Sequence, residues 1–307
     1  SPEYKEKPGA VQSRIKRMND CFSGKDKIRL IKTFATIMPS MKRNINRNFS
    51  DMKPYLKGQN NPAGKTRTPV IDSVKKAEIW EDLKRYAWDN HRAVPGFTRL
   101  PEEYVFKNKA VPFRYALVFI QEMDKSAIEK APEIDAGMEV IKVYNSLGIA
   151  TNDIARWLRD KYGINCMANH PLGGLVDTVP LARNAGLGAI GRNGLLITRE
   201  FGPRCRISPI FLEEELFDYT DSDRHDWVEN FCARCGSCAR SCPVSCIYDT
   251  PRTTLKYEGL KDRCENYDRE KCFTSFSATM GCAVCISVCP FSKKPENYDK
   301  LKNKYIS

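Results

Sequence analysis

The chain has 307 residues, of which 41% are hydrophobic, so it is long enough for one large domain or two ordinary ones with a sizeable core. It contains no run of about eighteen apolar residues, so we predict no transmembrane segment. The formal net charge is +12, and residues 1–67 account for +11 of it because they hold 16 Lys or Arg against 5 Asp or Glu. The other 240 residues therefore sum to about +1.

The basic region, residues 1–70, is predicted to be a helical N-terminal extension. Lys27 to Met38 place apolar residues largely on one face of a helix, which Pro39 is expected to end. Residues 51–69 are rich in Pro, Gly, Asn and charge, which indicates a loop. A basic surface suits RNA, anionic lipid or an acidic redox partner. Few aromatic residues lie among these charges, which favours a solvated helical surface instead.

The middle of the chain, residues 71–225, is predicted to form an α/β domain. A helix is expected from Asp72 to Asn90, with Asp72 or Ser73 as its N-cap. The apolar run Tyr115 to Gln121 predicts a buried strand, and Gly137 to Lys161 predicts a long helix that Gly163 ends. The remaining predicted elements are strands at 164–168, 194–197 and 205–211 and a short helix at 179–185.

Cysteines dominate the last part of the chain, residues 226–307. Ten of the thirteen lie between Cys232 and Cys289. The first run, FCARCGSCARSCP, has the C-x2-C-x2-C-x3-C-P spacing of a ferredoxin segment, whose fourth cysteine binds the other cluster. The second run, CAVCISVCP, repeats that pattern without its first cysteine, for which Cys272 is the natural substitute.

This spacing predicts two [4Fe-4S] clusters. One is assigned to Cys232, Cys235, Cys238 and Cys289, and the other to Cys242, Cys272, Cys282 and Cys285. A zinc ribbon needs neither the third cysteine nor the terminal Cys-Pro, and a disulfide scaffold suits small secreted chains. The five remaining cysteines are predicted to be packing residues: Cys21, Cys166, Cys205, Cys246 and Cys264.

A glycine-rich stretch, VDTVPLARNAGLGAIGRNGLLITREFGPRCR, covers Val176 to Arg206. Its glycines let the backbone approach a flat or anionic ligand closely. The segment before the first glycine looks helical, so the stretch does not fit a dinucleotide-binding fingerprint, which follows a strand.

Joined to the double cysteine motif, this stretch resembles the cobalamin-dependent, iron-sulfur-containing reductive dehalogenases and their relatives, the epoxyqueuosine reductases. The resemblance extends over roughly residues 75–295 and also includes GFTRLPEEYVF, Tyr144-Asn145-Ser146 and KCFTSF. It implies a nitroreductase-like α/β (α+β) domain that binds a base-off corrinoid, followed by a ferredoxin-like domain with both clusters. It implies electron transfer from the clusters to cobalamin, a small organic or organohalide substrate, and a low-potential donor such as ferredoxin or flavodoxin.

The resemblance also implies roles for individual residues. Tyr144 matches the proton donor, with Arg204 or Arg206 as the cation that favours its deprotonated form. The alternative for Tyr144 is a core position on an apolar helix face. The implied cofactor contacts are Asn169, His170, Gly186, Leu187, Gly188, Gly191, Arg192 and Asn193. No Asp-x-His-x-x-Gly box occurs, which agrees with cobalamin lacking a protein histidine below cobalt.

Two other functions stay open at this point. Asp177 matches the general acid of epoxyqueuosine reductases, which act on tRNA, although its position before Pro180 also fits a helix N-cap. A non-catalytic dicluster electron carrier is the third hypothesis. Oxygen-labile clusters favour the cytoplasm, and an exported form whose leader was removed remains an alternative.

Overall fold

The computed structural model describes residues 24–56, 69–172, 174–253, 264–278, 281–293 and 295–306. Its α-helices are α1 (Gly24–Leu56), α2 (Ser73–His91), α3 (Lys125–Ile128), α4 (Ile134–Tyr162), α5 (Thr178–Asn184), α6 (Trp227–Cys235), α7 (Ser237–Arg240), α8 (Arg269–Ala278), α9 (Val284–Ser287) and α10 (Pro295–Ile306). Its strands are β1 (Ala93–Arg99), β2 (Tyr115–Glu122), β3 (Cys166–Ala168), β4 (Ala189–Ile190), β5 (Leu196–Ile197), β6 (Cys205–Leu212), β7 (Ile247–Thr253) and β8 (Cys264–Tyr267). Short 3-10 helices cover Glu102–Tyr104, Asp223–His225 and Pro290–Ser292.

The central sheet has four strands in the order β1-β2-β6-β3, and every neighbouring pair is antiparallel. The fold is therefore mixed α/β, as predicted, with the antiparallel sheet of the α+β type. Strand β1 was not predicted. Its sequence, AVPGFTR, places Pro95 and Gly96 in the middle of the strand, and both residues are depleted from strands.

Two apolar cores lie on opposite faces of this sheet because strand side chains alternate. Leu117 and Phe119 pack with residues of α2 and α4 on one face. Val118 and Ile120 pack on the other face with α5 and the loops around it. Cys166 and Cys205 are buried in these two cores, which agrees with their predicted packing role.

Helix α4 is the central helix of the domain; it begins three residues before the predicted Gly137 and ends one residue after the predicted Lys161. Its C-cap is Gly163, whose φ of 68° is left-handed and therefore favours glycine. Helix α2 begins as predicted, since the Asp72 side chain accepts a hydrogen bond from the backbone N–H of Lys75 at 2.8 Å. Of the apolar residues of α2, Ile79, Leu83 and Ala87 are buried, whereas Val74 in the first turn is exposed.

Helix α1 corrects two predictions for the N-terminal region. It continues through Pro39 to Leu56, so Pro39 does not end it and residues 51–56 are not loop. Both halves of α1 pack along α4, which outweighs the local cost of an interior proline. Before Pro39, Leu30 packs with residues of α4, and after it the Asn48 side chain donates to Asn152 Oδ1 at 2.8 Å. The rest of the predicted loop, residues 57–68, lies outside the described residues.

The cysteine-rich part packs around an aromatic cluster. Trp227 lies 5.0 Å from Tyr298, and Phe231 lies 5.2 Å from Phe291, measured between ring centroids, which joins α6 to α10 and to the 3-10 helix at 290–292. The proposed boundaries at residues 70 and 225 stay predictions. Among the described residues, no helix combines the length and apolar character that a bilayer span requires.

Candidate functional site

The first predicted set of cluster ligands surrounds one small cavity. Cys232, Cys235, Cys238 and Cys289 all line it. Helix α6 carries the first two thiols, and the left-handed residue Gly236, with φ of 60°, turns the chain into α7, which carries the third. Four thiols facing a common space fit a [4Fe-4S] cluster, so the cavity has the donor set that the prediction requires.

Burial controls the protonation of these thiols. It raises the pKa of Cys232 to about 11, and it raises the pKa of Cys289 as well. Both thiols therefore carry protons near neutral pH when no metal is bound. Because iron binds the thiolate form, loading of this site must release those protons.

The second predicted ligand set comes from three separate segments. Cys242 follows α7, and Cys272 lies in α8. Cys282 lies two residues before α9, and Cys285 lies within it. Burial, followed by the neighbouring thiols Cys272 and Cys282, raises the pKa of Cys285 to about 12. The described residues include no group of three His, Cys, Asp or Glu placed to hold a single metal ion. The assignment of ligands to two clusters stays a prediction.

Cys246 joins this second set of thiols, although it was predicted to be a packing residue. It is buried, and its Sγ lies 3.4 Å from the Sγ of Cys242. The packing prediction for the last two cysteines is not tested. Cys21 lies outside the described residues, and for Cys264, the first residue of β8, only the backbone is described.

Tyr144 and Arg206 are brought together between α4 and the sheet. The Arg206 guanidinium carbon lies 4.8 Å from the centre of the Tyr144 ring. Arg206 shares a face of β6 with Ile210, which packs in the core that contains α4. Its Nε is buried without a hydrogen-bond partner, so this guanidinium has a donor available for a ligand.

Arg204 has a different position, although it was predicted alongside Arg206. It is 3% exposed, and its Nε donates to the Ser292 carbonyl at 2.8 Å while its Nη1 donates to the Met123 carbonyl at 3.0 Å. It also forms an ion pair with Glu122. Arg204 therefore ties β6 to the cysteine-rich part, and of the two arginines it is Arg206 that contacts Tyr144.

His170 lies against the same face of α4 as Tyr144. It packs on Gly148, one helical turn after Tyr144, so closely that a Cβ on Gly148 would lie 2.3 Å from His170 Nε2. His170 Nδ1 accepts a hydrogen bond from the Leu172 N–H at 3.0 Å, and its Nε2 is buried without a partner. Burial lowers the pKa of His170 to about 4, so the ring is neutral near pH 7.

Asn169 supports the loop that carries His170. Its Oδ1 accepts from the Leu175 N–H at 3.1 Å and its Nδ2 donates to the His170 carbonyl at 3.0 Å. These contacts explain its burial, and a cofactor contact by Asn169 stays a prediction.

The unpaired Arg206 Nε and His170 Nε2 test whether this region fits a polar cofactor. A buried polar atom without a partner costs about 1–3 kcal/mol, so a polar ligand that reached the Arg206 Nε would satisfy it, whereas His170 Nε2 packs on Gly148. A corrinoid carries peripheral amides, which can pair with such donors. The unpaired Arg206 donor beside Tyr144 is compatible with the predicted cofactor, and binding of the corrinoid stays a prediction.

A polar cleft beside Tyr144 was not predicted. The C-terminal end of α2, the end of β2 and helix α4 enclose it, and Asn145 Oδ1 is another buried atom there without a partner. His91, Gln121 and Lys142 are among its lining residues. Asn145 and Ser146 of this lining belong to the Tyr144-Asn145-Ser146 stretch that carries the resemblance, whereas no motif marks the other positions, which come from elements far apart in sequence.

The glycine-rich stretch is used largely for contacts within the protein. Gly188 lies so close to Ile197 that a Cβ would meet the Ile197 carbonyl at 2.3 Å, and Leu187 is buried in the core. Gly186, with φ of +70°, packs on Thr220, and Gly191 packs on the Ile197 side chain. The predicted corrinoid contacts of these four residues stay predictions.

Arg192 and Asn193 lie beside the first cysteine set. They line the same cavity, and the backbone N–H of Arg192 hydrogen-bonds to Cys232. The hairpin formed by β4 and β5 therefore covers this cavity. The sequence did not predict this position for Arg192 and Asn193, and their contact with a corrinoid stays a prediction.

Asp177 occupies the N-cap of α5. Its carboxylate accepts from the Val179 N–H at 3.4 Å, and its own N–H donates to the Tyr104 carbonyl at 2.8 Å. This geometry agrees with the helix-cap alternative. A general-acid role for Asp177 stays a prediction.

Comparison with known proteins identifies relatives of two kinds. The chain is 37% identical over 204 residues to a tetrachloroethene reductive dehalogenase of Desulfitobacterium hafniense, covering 62% of this chain and 35% of that protein. It is 29% identical over 164 residues to an epoxyqueuosine reductase of Gloeobacter violaceus, covering 50% of this chain and 48% of that protein. The chain is a homologue of both groups of oxidoreductases. No protein-family profile matches it.

A solved structure supports the fold. A reductive dehalogenase described as performing B12-dependent dehalogenation superposes with a TM-score of 0.61 at 20% identity, covering 83% of this chain and 38% of that one. At this identity the similarity concerns the fold alone. The chain spans about a third of the length of its reductive dehalogenase relatives.

Proposed function

We propose that the chain is a corrinoid- and iron-sulfur-dependent reductase of the reductive dehalogenase type, acting on a small organic substrate such as an organohalide. The contact between Tyr144 and Arg206 carries this proposal. It joins a proton donor to a cation in a region where the Arg206 Nε has no partner of its own.

The chemistry requires two electrons and one proton for each bond cleaved. A carbon–halogen bond is replaced by a carbon–hydrogen bond, and the halide leaves as an anion. When bound, the corrinoid supplies the low-valent reducing centre. The Tyr144 hydroxyl gives the proton to carbon, and the Arg206 guanidinium stabilises the phenolate that remains.

His170 has an orienting role in this proposal. His170 Nδ1 lies 3.0 Å from the Leu172 nitrogen and 3.3 Å from its carbonyl oxygen, so it can accept from the first or donate to the second. In this proposal it accepts, and the neutral ring carries its proton on the unpaired Nε2, beside Gly148, for donation to a cofactor amide or to the substrate. Its low pKa, about 4, keeps it a hydrogen-bond donor without positive charge over the working pH range.

The second cysteine set shares an apolar cluster with the proposed proton donor. Tyr144 and Cys285 pack in the same apolar cluster, with Val143 and Ile286. A cluster held by this set would therefore lie beside Tyr144. The first set, covered by Arg192, would accept electrons from a low-potential external donor such as ferredoxin or flavodoxin.

Anaerobic reconstitution with iron, sulfide and cobalamin tests this function. We expect about eight irons and one cobalt per chain, and release of halide from an aryl bromide or a chloroethene with a reduced low-potential dye. Eight irons without cobalt would overturn the proposal and leave a dicluster electron carrier.

An epoxyqueuosine reductase is the second candidate, because one group of relatives carries that name. The basic helix α1 would then lie on the phosphate backbone of tRNA. Retention of tRNA that falls steeply with salt would favour this candidate, since phosphate contacts release counterions. Halide release without tRNA retention would favour the dehalogenase type.

A further inference from the structure

Cys246 is a fifth thiol at the second cysteine set. The four predicted ligands there are Cys242, Cys272, Cys282 and Cys285. Cys246 is 2% exposed, its Sγ lies 3.4 Å from Cys242 Sγ, and its backbone N–H points at the same sulfur at 3.4 Å. A packing role alone does not require a contact between the two sulfurs.

A tight turn produces this contact. The Ser245 N–H donates to the Cys242 carbonyl at 3.1 Å, and Ser245 adopts a left-handed φ of 48°, which is uncommon for serine. The turn brings Cys246 back onto Cys242, four residues earlier in the chain.

The other side of Cys246 is tied to the segment that carries Cys272. The Cys246 carbonyl accepts from the Asp268 N–H at 2.8 Å, and the Asp268 carbonyl accepts from the Cys272 N–H at 3.0 Å. Cys246 therefore lies between two predicted ligands that come from different parts of the sequence.

We propose that Cys246 is a reserve ligand of the second cluster, which binds iron when the thiolate of Cys242 or Cys272 is lost. The inference rests on the proposed function, because it requires a cluster at this set. The ligands of a cubane bind different irons at different corners, whereas two sulfurs in direct contact compete for one corner. On exchange, Cys246 gives its proton to the medium as it binds iron, and no electron is transferred.

Single and double variants of the reconstituted protein test this proposal through iron content and EPR of the oxidised cluster. Cys242→Ala and Cys272→Ala are each expected to keep about eight irons and to show no [3Fe-4S] signal. Adding Cys246→Ala to either one is expected to produce that signal or to lower iron towards about four per chain. Cys246→Ala alone is expected to keep both clusters.

Cys285→Ala is the matched control, because it removes a predicted ligand carried by a different helix, α9. It is expected to give the [3Fe-4S] signal even with Cys246 present. Should the alanine double variants not fold, Cys246→Val, which fills the position without a metal-binding atom, replaces Cys246→Ala in the same comparison.

Two results would count against this inference, and they are separable from failure of the function. Iron loss in Cys242→Ala and Cys272→Ala equal to that of the double variants would show that Cys246 does not bind iron. A parent protein that binds only about four irons would instead refute the second cluster itself.

Discussion

Arg204 immediately precedes β6 and Arg206 lies within it. Exchanging each for methionine separates an arginine that stabilises the fold from one at the candidate site. Arg204→Met leaves the Ser292 and Met123 carbonyls without their donor. Each orphaned carbonyl costs about 1–3 kcal/mol, while Glu122 is half exposed and can be rehydrated. We expect a loss of ~3 kcal/mol in the free energy of unfolding.

Arg206→Met removes a cation that contacts the Tyr144 ring and has an unpaired Nε. Such a cation–π contact is worth about 1 kcal/mol, and the variant also removes a buried donor without a partner, so stability is expected to change by less than ~1 kcal/mol. Turnover should fall strongly, because the phenolate of Tyr144 loses its counterion.

Thermal unfolding of the reconstituted protein at one scan rate measures the difference. A chain of this size shifts its midpoint by about 2 °C per kcal/mol, so Arg204→Met should unfold ~6 °C lower and Arg206→Met within ~2 °C of the parent. Equal shifts for the two variants would refute the distinct positions of these arginines.

Three further results are expected. Tyr144→Phe should lower turnover at least tenfold while iron and cobalt content stay at parent values, and unchanged turnover would remove Tyr144 from the chemistry. Gly202→Ala should destabilise the protein by ~2 kcal/mol or more, because φ is +57° and a Cβ would lie 2.2 Å from the Phe291 carbonyl; a thermal midpoint equal to the parent's would contradict this. Burial lowers the pKa of His170 and His225 to about 4, below the ordinary 6.5, so their stability contribution is complete above about pH 6.5 and declines as the pH falls towards 4. The urea concentration at the unfolding midpoint should therefore fall between pH 6.5 and pH 4. His170→Asn should make this fall smaller, and an equal fall in the variant and the parent would show that His170 is exposed to water.

Features set by short-range pattern could be predicted from the sequence. Helix α4 ends at Gly163 and α2 is capped by Asp72, because caps depend on residues within one turn. The first cysteine set also follows from local spacing, since three of its four thiols come from one segment. The mixed α/β character followed from the same local patterns.

Other features depend on residues far apart in sequence, and only the tertiary structure decided them. Pro39 does not end α1, because packing against α4 supplies free energy that no local pattern contains. Arg206 rather than Arg204 contacts Tyr144, because Arg206 lies within β6 on the face that packs against α4, whereas Arg204 precedes the strand and donates to the Ser292 and Met123 carbonyls. Cys246 meets Cys242 through a turn that a serine completes in a left-handed conformation. The sequence motifs identified which residues are candidates for the site, and long-range packing determined which of those residues are in contact.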